Sequence, residues 1–252
     1  MVPSPQFDLD EYGVDVGPYV DAFAAACDLR GAALDVPEGA VFVSLGQNCS
    51  TAWHLQAIGK RSCSTPFDWI FSSPQIVTDC LRDEFRDFLD LRQAVTIDEH
   101  SAGHARYHGR MFNHRNPHVG DNHARLQRSV ARFLALYRSD RPLVFVSTAL
   151  PEHGLRPVWS EGFVHDFAAP ANVNPLEDYA ALHALVSERA APTRLIVVEQ
   201  RTMQARPRIE VTGRSEGMVS IAFDVCGAST GVYYANPRDE ALCRALYTAL
   251  CA

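Results

Sequence analysis

The stretch Val41-Phe42-Val43-Ser44-Leu45-Gly46-Gln47-Asn48-Cys49-Ser50-Thr51-Ala52-Trp53 decides how the chain is read. Its first five residues make a short, β-branched, apolar run bounded by Gly39 and Gly46, the profile of a buried strand. Ala52, Leu55, Gln56 and Ile58 then follow a helical pattern until Gly59, where the helix is expected to stop. The same unit recurs downstream. Residues 143–147, 195–198 and 218–223 are apolar runs without strict alternation, as expected of strands covered on both faces. Leu126, Val130, Phe133, Leu134 and Tyr137 form an amphipathic stripe between them, and Tyr179, Leu182, Leu185 and Val186 form another. Three helix starts pair a capping side chain with proline: Ser73-Pro74, Asn174-Pro175 and Asn236-Pro237. Strands alternating with helices predict an α/β fold, a layered, mainly parallel sheet flanked by helices.

Working outward, residues 1–37 read as an N-terminal arm with a short helix through Val20, Phe23, Ala24 and Cys27, and residues 38–252 as a single α/β catalytic-type domain. Residues 88–121 are less regular, either a functional loop region or a segment containing a hairpin. Residues 200–217 are irregular too, and their Arg201, Arg206, Arg208 and Arg214 read either as a rim for an anionic ligand or as an exposed loop. The 252 residues carry 23 Lys plus Arg against 30 Asp plus Glu, a formal charge of −7, which excludes a nucleic-acid binder recognised by bulk charge. Hydrophobic residues at 47% and charged residues at 21% allow a sizeable core. No apolar run approaches the roughly 20 residues that span a bilayer, and MVPSPQFDLDEYG lacks the pattern of a signal peptide. The expectation is a soluble, cytoplasmic protein with no membrane partner. Seven cysteines, an odd number with no C-x-x-C pair, argue against a disulfide framework.

Chemistry concentrates where the first strand turns into helix. Cys49 stands at the first turn of that helix, where free N–H groups and the positive dipole end favour a thiolate. Ligands bind beyond the carboxyl ends of parallel strands, and N–H groups near Cys49, with the Gln47 or Asn48 amide, could hold a developing oxyanion. The alternative is that Cys49 packs under the sheet and Gly46 only makes the turn. Trp53 reads as core.

The string SLGQNCSTAWHLQAIGKRSCSTPFDWIFSSP, residues 44–74, resembles the opening of the bacterial family described as putative papain-like cysteine peptidases, with its S-L-G-x-x-C, helix and P-F-D-W-I pattern. The resemblance continues through Tyr107, Phe112-Asn113-His114, then Arg128, Arg132-Phe133-Leu134 and the strand at 143–147. It implies a Cys49 nucleophile with His114 as base, in a cysteine-dependent hydrolase or acyltransferase forming an acyl-enzyme. The C-G-S-C-W string of papain-type enzymes is absent, and the repeated strand–helix units suggest a layered sheet instead of two lobes. Asp68, an acid between Phe67 and Trp69, is the candidate third group orienting the imidazole, or else a clasp bonded to its own backbone; Asn116 is the alternative third group, and His165 the reserve base. Gly46, Gln47, Asn48, Trp69 and Asn116 are the candidate substrate-binding residues.

His100, His104 and His108 are spaced i, i+4, i+8, which on a helix would align three imidazoles for a metal, although Gly103 and Gly109 weaken that helix. No metal and no cofactor is therefore assigned. The partner expected is a small-molecule or peptide acyl substrate. A non-catalytic domain holding an anion at the helix N-terminus, and a metalloenzyme using the histidine cluster, are the alternatives.

Overall fold

The computed structural model describes residues 15, 17–26, 36–151, 155, 157–164, 167 and 175–252. Cys27, the Asn174 cap and His165 lie outside the described residues. The strands in chain order are β1 (Val41–Ser44), β2 (Ala94–Thr96), β3 (Ala102–His104), β4 (His108–Phe112), β5 (Leu143–Ala149), β6 (Thr193–Arg201), β7 (Arg208–Ser215) and β8 (Met218–Asp224). The helices are α1 (Gly17–Ala26), α2 (Cys49–Ala57), α3 (Pro74–Arg82), α4 (Asn122–Tyr137), α5 (Pro157–Ser160), α6 (Pro175–Val186) and α7 (Pro237–Leu250).

The main sheet has the order β1-β5-β6-β8-β7, parallel except for the antiparallel edge strand β7. Its strands alternate between two buried faces. Val43, Leu45, Phe145, Leu195 and Val197 point to one face, covered by α3, α4 and α6 through Ile76, Phe133 and Leu182. Phe42, Val144, Ile196, Val198 and Ile221 point to the other, covered by α2 and α7 through Leu55, Leu242 and Leu246. Burial on both sides is why these runs lack alternation. The expected layered α/β architecture is the one formed. Tyr19 and Phe23 of α1 pack against the second face, beside α7.

Local signals account for the helix starts. The Ser73 hydroxyl accepts the Ile76 N–H with Pro74 in the first turn of α3, and Asn236 caps α7 by accepting the Arg238 N–H. Two irregular stretches turn out to be regular. Residues within 88–121 form a second, antiparallel sheet β2-β3-β4, whose strands of three to five residues are too short to show a period. Residues 200–217 hold the end of β6 and all of β7, and there Arg201 pairs with Glu199 and Arg208 with Glu210, so these arginines carry their own counter-charges. The histidine ladder is not helical: His104 and His108 face each other across β3 and β4, both buried. No helix among the described residues is long and apolar enough to cross a membrane.

Candidate active site

The main chain turns at Gly46 with φ +95°, and a Cβ there would stand 2.0 Å from the Ser72 hydroxyl, so only glycine fits. The Gly46 carbonyl accepts from the Thr148 N–H at 2.7 Å, the Thr51 hydroxyl at 2.6 Å and the Ser147 hydroxyl at 3.0 Å. These bonds tie the turn to β5 and to the first turn of α2. Asn48 caps α2, its Oδ1 accepting the Ser50 N–H at 3.0 Å, and Cys49 opens the helix at 5% exposure. Cys49 thus sits beyond the carboxyl end of β1, where parallel sheets bind ligands.

A histidine from the other sheet meets it. Phe71 donates its N–H to the Met111 carbonyl on β4, and Ser72 donates its N–H to the Gln47 carbonyl, so one dipeptide joins the end of β4 to the Cys49 turn. His114 lies two residues past β4, exposed on its outer side, with Nε2 3.4 Å from Cys49 Sγ across 65 residues of sequence. Residues that the sequence places far apart form one dyad.

Its electrostatics differ from the expectation of a resting thiolate. Burial pushes the Cys49 thiol up to about 12, its own backbone N–H pulling the other way and the charge of Asp68 adding to the rise. His114 is held below its ordinary value by loss of solvent and by the neighbouring Arg115. With the thiol raised and the imidazole lowered, the dyad rests near neutral pH as a thiol beside an uncharged imidazole and not as an ion pair. Desolvation outweighs the helix dipole because the sulfur is nearly enclosed, while the dipole supplies only about half a charge at the helix end.

Asp68 is 1% exposed and fully engaged. Its Oδ2 accepts from Arg61 Nη2 at 2.6 Å, Arg61 Nε at 3.0 Å and the Thr65 N–H at 2.9 Å, and its Oδ1 accepts from the Thr65 hydroxyl at 2.7 Å. It makes no hydrogen bond to His114; the bonds it makes are those of a clasp that closes residues 61–68. Phe67 beside it is fully buried against Phe85, Phe88 and Phe133, and Trp69 is half-buried with the Arg61 guanidinium 5.5 Å from its ring. Asn116 also turns away from the dyad, donating to the Asp98 carbonyl at 2.7 Å and the Thr96 hydroxyl at 3.3 Å while accepting from the His118 N–H. Gln47 is used structurally: its Oε1 accepts from the Leu150 N–H at 3.0 Å and its amide bonds the Tyr179 hydroxyl. The Asn48 side-chain NH2 has no hydrogen-bond partner among the described residues. With the Ser50 N–H taken by Asn48 Oδ1, the Cys49 N–H is the backbone donor beside the sulfur.

His104 and His108 are buried core residues, His108 with both ring nitrogens bonded and His104 with Nδ1 left without a partner. His108 Nε2 donates to the Trp159 carbonyl at 2.7 Å while Nδ1 accepts the Arg110 N–H, and burial drives its pKa to about 4. His104 donates to the Asp87 carbonyl at 3.0 Å and stacks on Tyr107 with ring centroids 4.4 Å apart. Among the described residues no group of three or more His, Cys, Asp or Glu could hold a metal ion.

Behind the nucleophile lies a buried ion pair that sequence reading missed. His54, one turn along α2, is fully buried with Nδ1 2.8 Å from the Ser50 carbonyl and Nε2 3.3 Å from Glu240 Oε2 on α7. Both ring nitrogens face acceptors, so the ring is an imidazolium. Burial opposes that charge, and Cys243 and Glu240 override it and hold the pKa up to about 10. Glu240 also accepts from Trp53 Nε1 at 3.1 Å, Arg244 Nε at 3.0 Å and the Tyr234 N–H at 3.0 Å. In sequence Glu240 looks like an ordinary acid in a first helical turn, and only the packing of α2 on α7 distinguishes it.

Residues 40–157 match the family model described as "Putative papain-like cysteine peptidase". It is the family that the segment 44–74 resembles, and the matched stretch contains Cys49, His114 and Asp68. No curated protein and no solved structure matches the chain. The cysteine peptidase-like segment supplies β1, β5 and the second sheet, while β6, β7, β8 and α7 lie beyond it.

Proposed function

We propose that the protein is a cysteine-dependent hydrolase or acyltransferase in which Cys49 is the nucleophile and His114 the general base. The observation that carries this reading is the 3.4 Å approach of Cys49 Sγ to His114 Nε2 at the carboxyl end of the sheet. As a substrate carbonyl docks, the thiol proton passes to Nε2 and Sγ attacks the carbonyl carbon. The oxyanion that forms is held by the Cys49 N–H at the start of α2 and by the Asn48 amide. Collapse expels the leaving group, which takes its proton from the imidazolium, and leaves an acyl group on Sγ. Water, an amine or an alcohol, deprotonated by His114, then removes the acyl group. The substrate is a small-molecule or peptide amide, ester or thioester. Asp68 serves as a positioning residue, holding residues 61–68 so that Phe71 and Ser72 bring the two loops together.

The test is intact-mass and peptide mapping after exposure to p-nitrophenyl acetate and to a phenyl thioacetate. An acetyl adduct is expected on Cys49, absent in Cys49→Ala and slowed roughly 10²- to 10⁴-fold in His114→Ala. Adding hydroxylamine or glycine separates transfer from hydrolysis. Acetylation spread over Cys63 and the exposed Cys226 with none on Cys49, or an adduct that forms as fast in His114→Ala, overturns the reading.

A further inference from the structure

A cavity of about 310 Å³ opens beside the His114 turn, large enough for a small ligand. Arg115, next to His114, and Arg125, Arg128 and Arg132, along one side of α4, line it, and no carboxylate does. Trp69 and Phe112 form apolar wall. In a chain of net charge −7 this is a local reversal of sign. An ordinary solvated helix face mixes charges, yet α4 contains no acidic residue. The counter-charge present is small: Asp121 lies 2.8 Å from Arg125 and 3.6 Å from Arg128. Arg132 spends its Nε on the Ser64 carbonyl, and Arg115 has no hydrogen bond or ion pair among the described residues. Among the described residues two of these four guanidiniums therefore share one carboxylate and two have none, and their planar forks suit the oxygens of phosphate or carboxylate.

We propose that this cavity is a subsite for a multiply charged anionic group, phosphoryl or polycarboxylate, carried by the substrate on which Cys49 acts. The proposal rests on the dyad reading for its link to chemistry. Arg115 couples the two places: its charge disfavours the His114 imidazolium, and an anion paired with it removes that penalty as Cys49 gives up its proton. An uncharged resting thiol then becomes a nucleophile when the right substrate is bound, which limits wasteful reaction in its absence.

Calorimetry on the full chain at fixed ionic strength, with inorganic pyrophosphate, citrate and acetate as probes, tests the subsite. Pyrophosphate or citrate is expected to bind at least tenfold more tightly than acetate. The paired substitution Arg128→Gln and Arg132→Gln weakens that binding at least tenfold with a normal thermal melt, whereas Arg138→Gln with Arg141→Gln, outside the cavity, leaves it unchanged. Preference for pyrophosphate assigns a phosphoryl group and preference for citrate a polycarboxylate. Saturating probe should also change the rate at which iodoacetamide alkylates Cys49 in wild type and not in the double arginine variant. Absence of binding by both multivalent probes, binding that survives the double variant, or a Cys49 rate indifferent to bound probe overturns the proposal. Cys49→Ala binds the probes like wild type, so failure of the dyad, read from acetylation, is separable from failure of the subsite.

Discussion

Glu240→Gln isolates the energetic role of the buried pair behind the nucleophile. The substitution keeps the volume and an acceptor for Trp53 and Arg244, removes the charge that balances His54, and sets an amide NH2 against the donors His54 Nε2 and Tyr234 N–H. Breaking one side of a fully buried pair costs about 3–5 kcal/mol; because Gln retains part of the hydrogen bonding, about 3–4 kcal/mol is expected. For a chain of this size each kcal/mol moves Tm by roughly 2–4 °C, so the melt should fall by about 6–16 °C. The pH dependence identifies the cause. His54 is raised, so its contribution is complete below the ordinary value of 6.5 and is lost as pH rises through about 10. Glu240 is held down to about 2 by His54 and by the Tyr234 and Trp53 hydrogen bonds against the effect of burial, so its contribution is present above 4.5 and lost as pH falls through about 2. In Glu240→Gln, Cys243 alone is left to raise His54 against burial, so this alkaline loss shrinks. Wild type and variant should therefore converge as urea melts are repeated from pH 7 to pH 10. A Tm change under about 3 °C at pH 7, or a gap that stays constant up to pH 10, would refute an ion pair at this position.

Three further outcomes follow from the same geometry. Gly46→Ala should destabilise by at least about 2 kcal/mol in urea melts, and adding Ser72→Gly should restore the part due to overlap with the Ser72 hydroxyl but not the part due to the positive φ; full recovery would mean the backbone is unstrained. Asp68→Asn should cost about 1.5–3 kcal/mol through the weakened Arg61 bonds while slowing Cys49 acetylation less than tenfold, and a loss as large as that of His114→Ala would instead make Asp68 the group that orients the imidazole. In the unliganded protein Cys226 and Cys63 should react with iodoacetamide ahead of Cys49 at pH 7, with Cys49 gaining steadily toward alkaline pH; fast labelling of Cys49 at pH 6 would show a preformed ion pair.

What the sequence made legible, and what it hid, divides by the range of the interactions involved. The strand at 41–44, its glycine turn and the helix from Cys49 are local: β-branched composition, a required positive φ and a capping Asn48 each act within a few residues. The family motif then carried His114 as a partner, because a motif records residues that meet in space even when 65 positions separate them. Beyond such aids, long-range pairing was invisible. β2, β3 and β4 are short, and β3 is buried throughout, so neither period nor contrast marks them. The expectation of a thiolate was local reasoning too: a helix N-terminus beside sulfur is readable from sequence, whereas the depth of burial that outweighs it depends on segments that only the fold brings against the helix, the His114 turn among them. The arginines of α4 mark the same boundary. Arg125, Arg128 and Arg132 recur at i, i+3, i+7, which sequence shows as one exposed stripe, but a stripe becomes a pocket only when Trp69 and Phe112 from two other segments wall it in. The chemistry a cysteine can perform here is therefore set less by its own helix than by what the second sheet brings against it, and the charge placed beside His114 is the part of that environment open to change by a substrate.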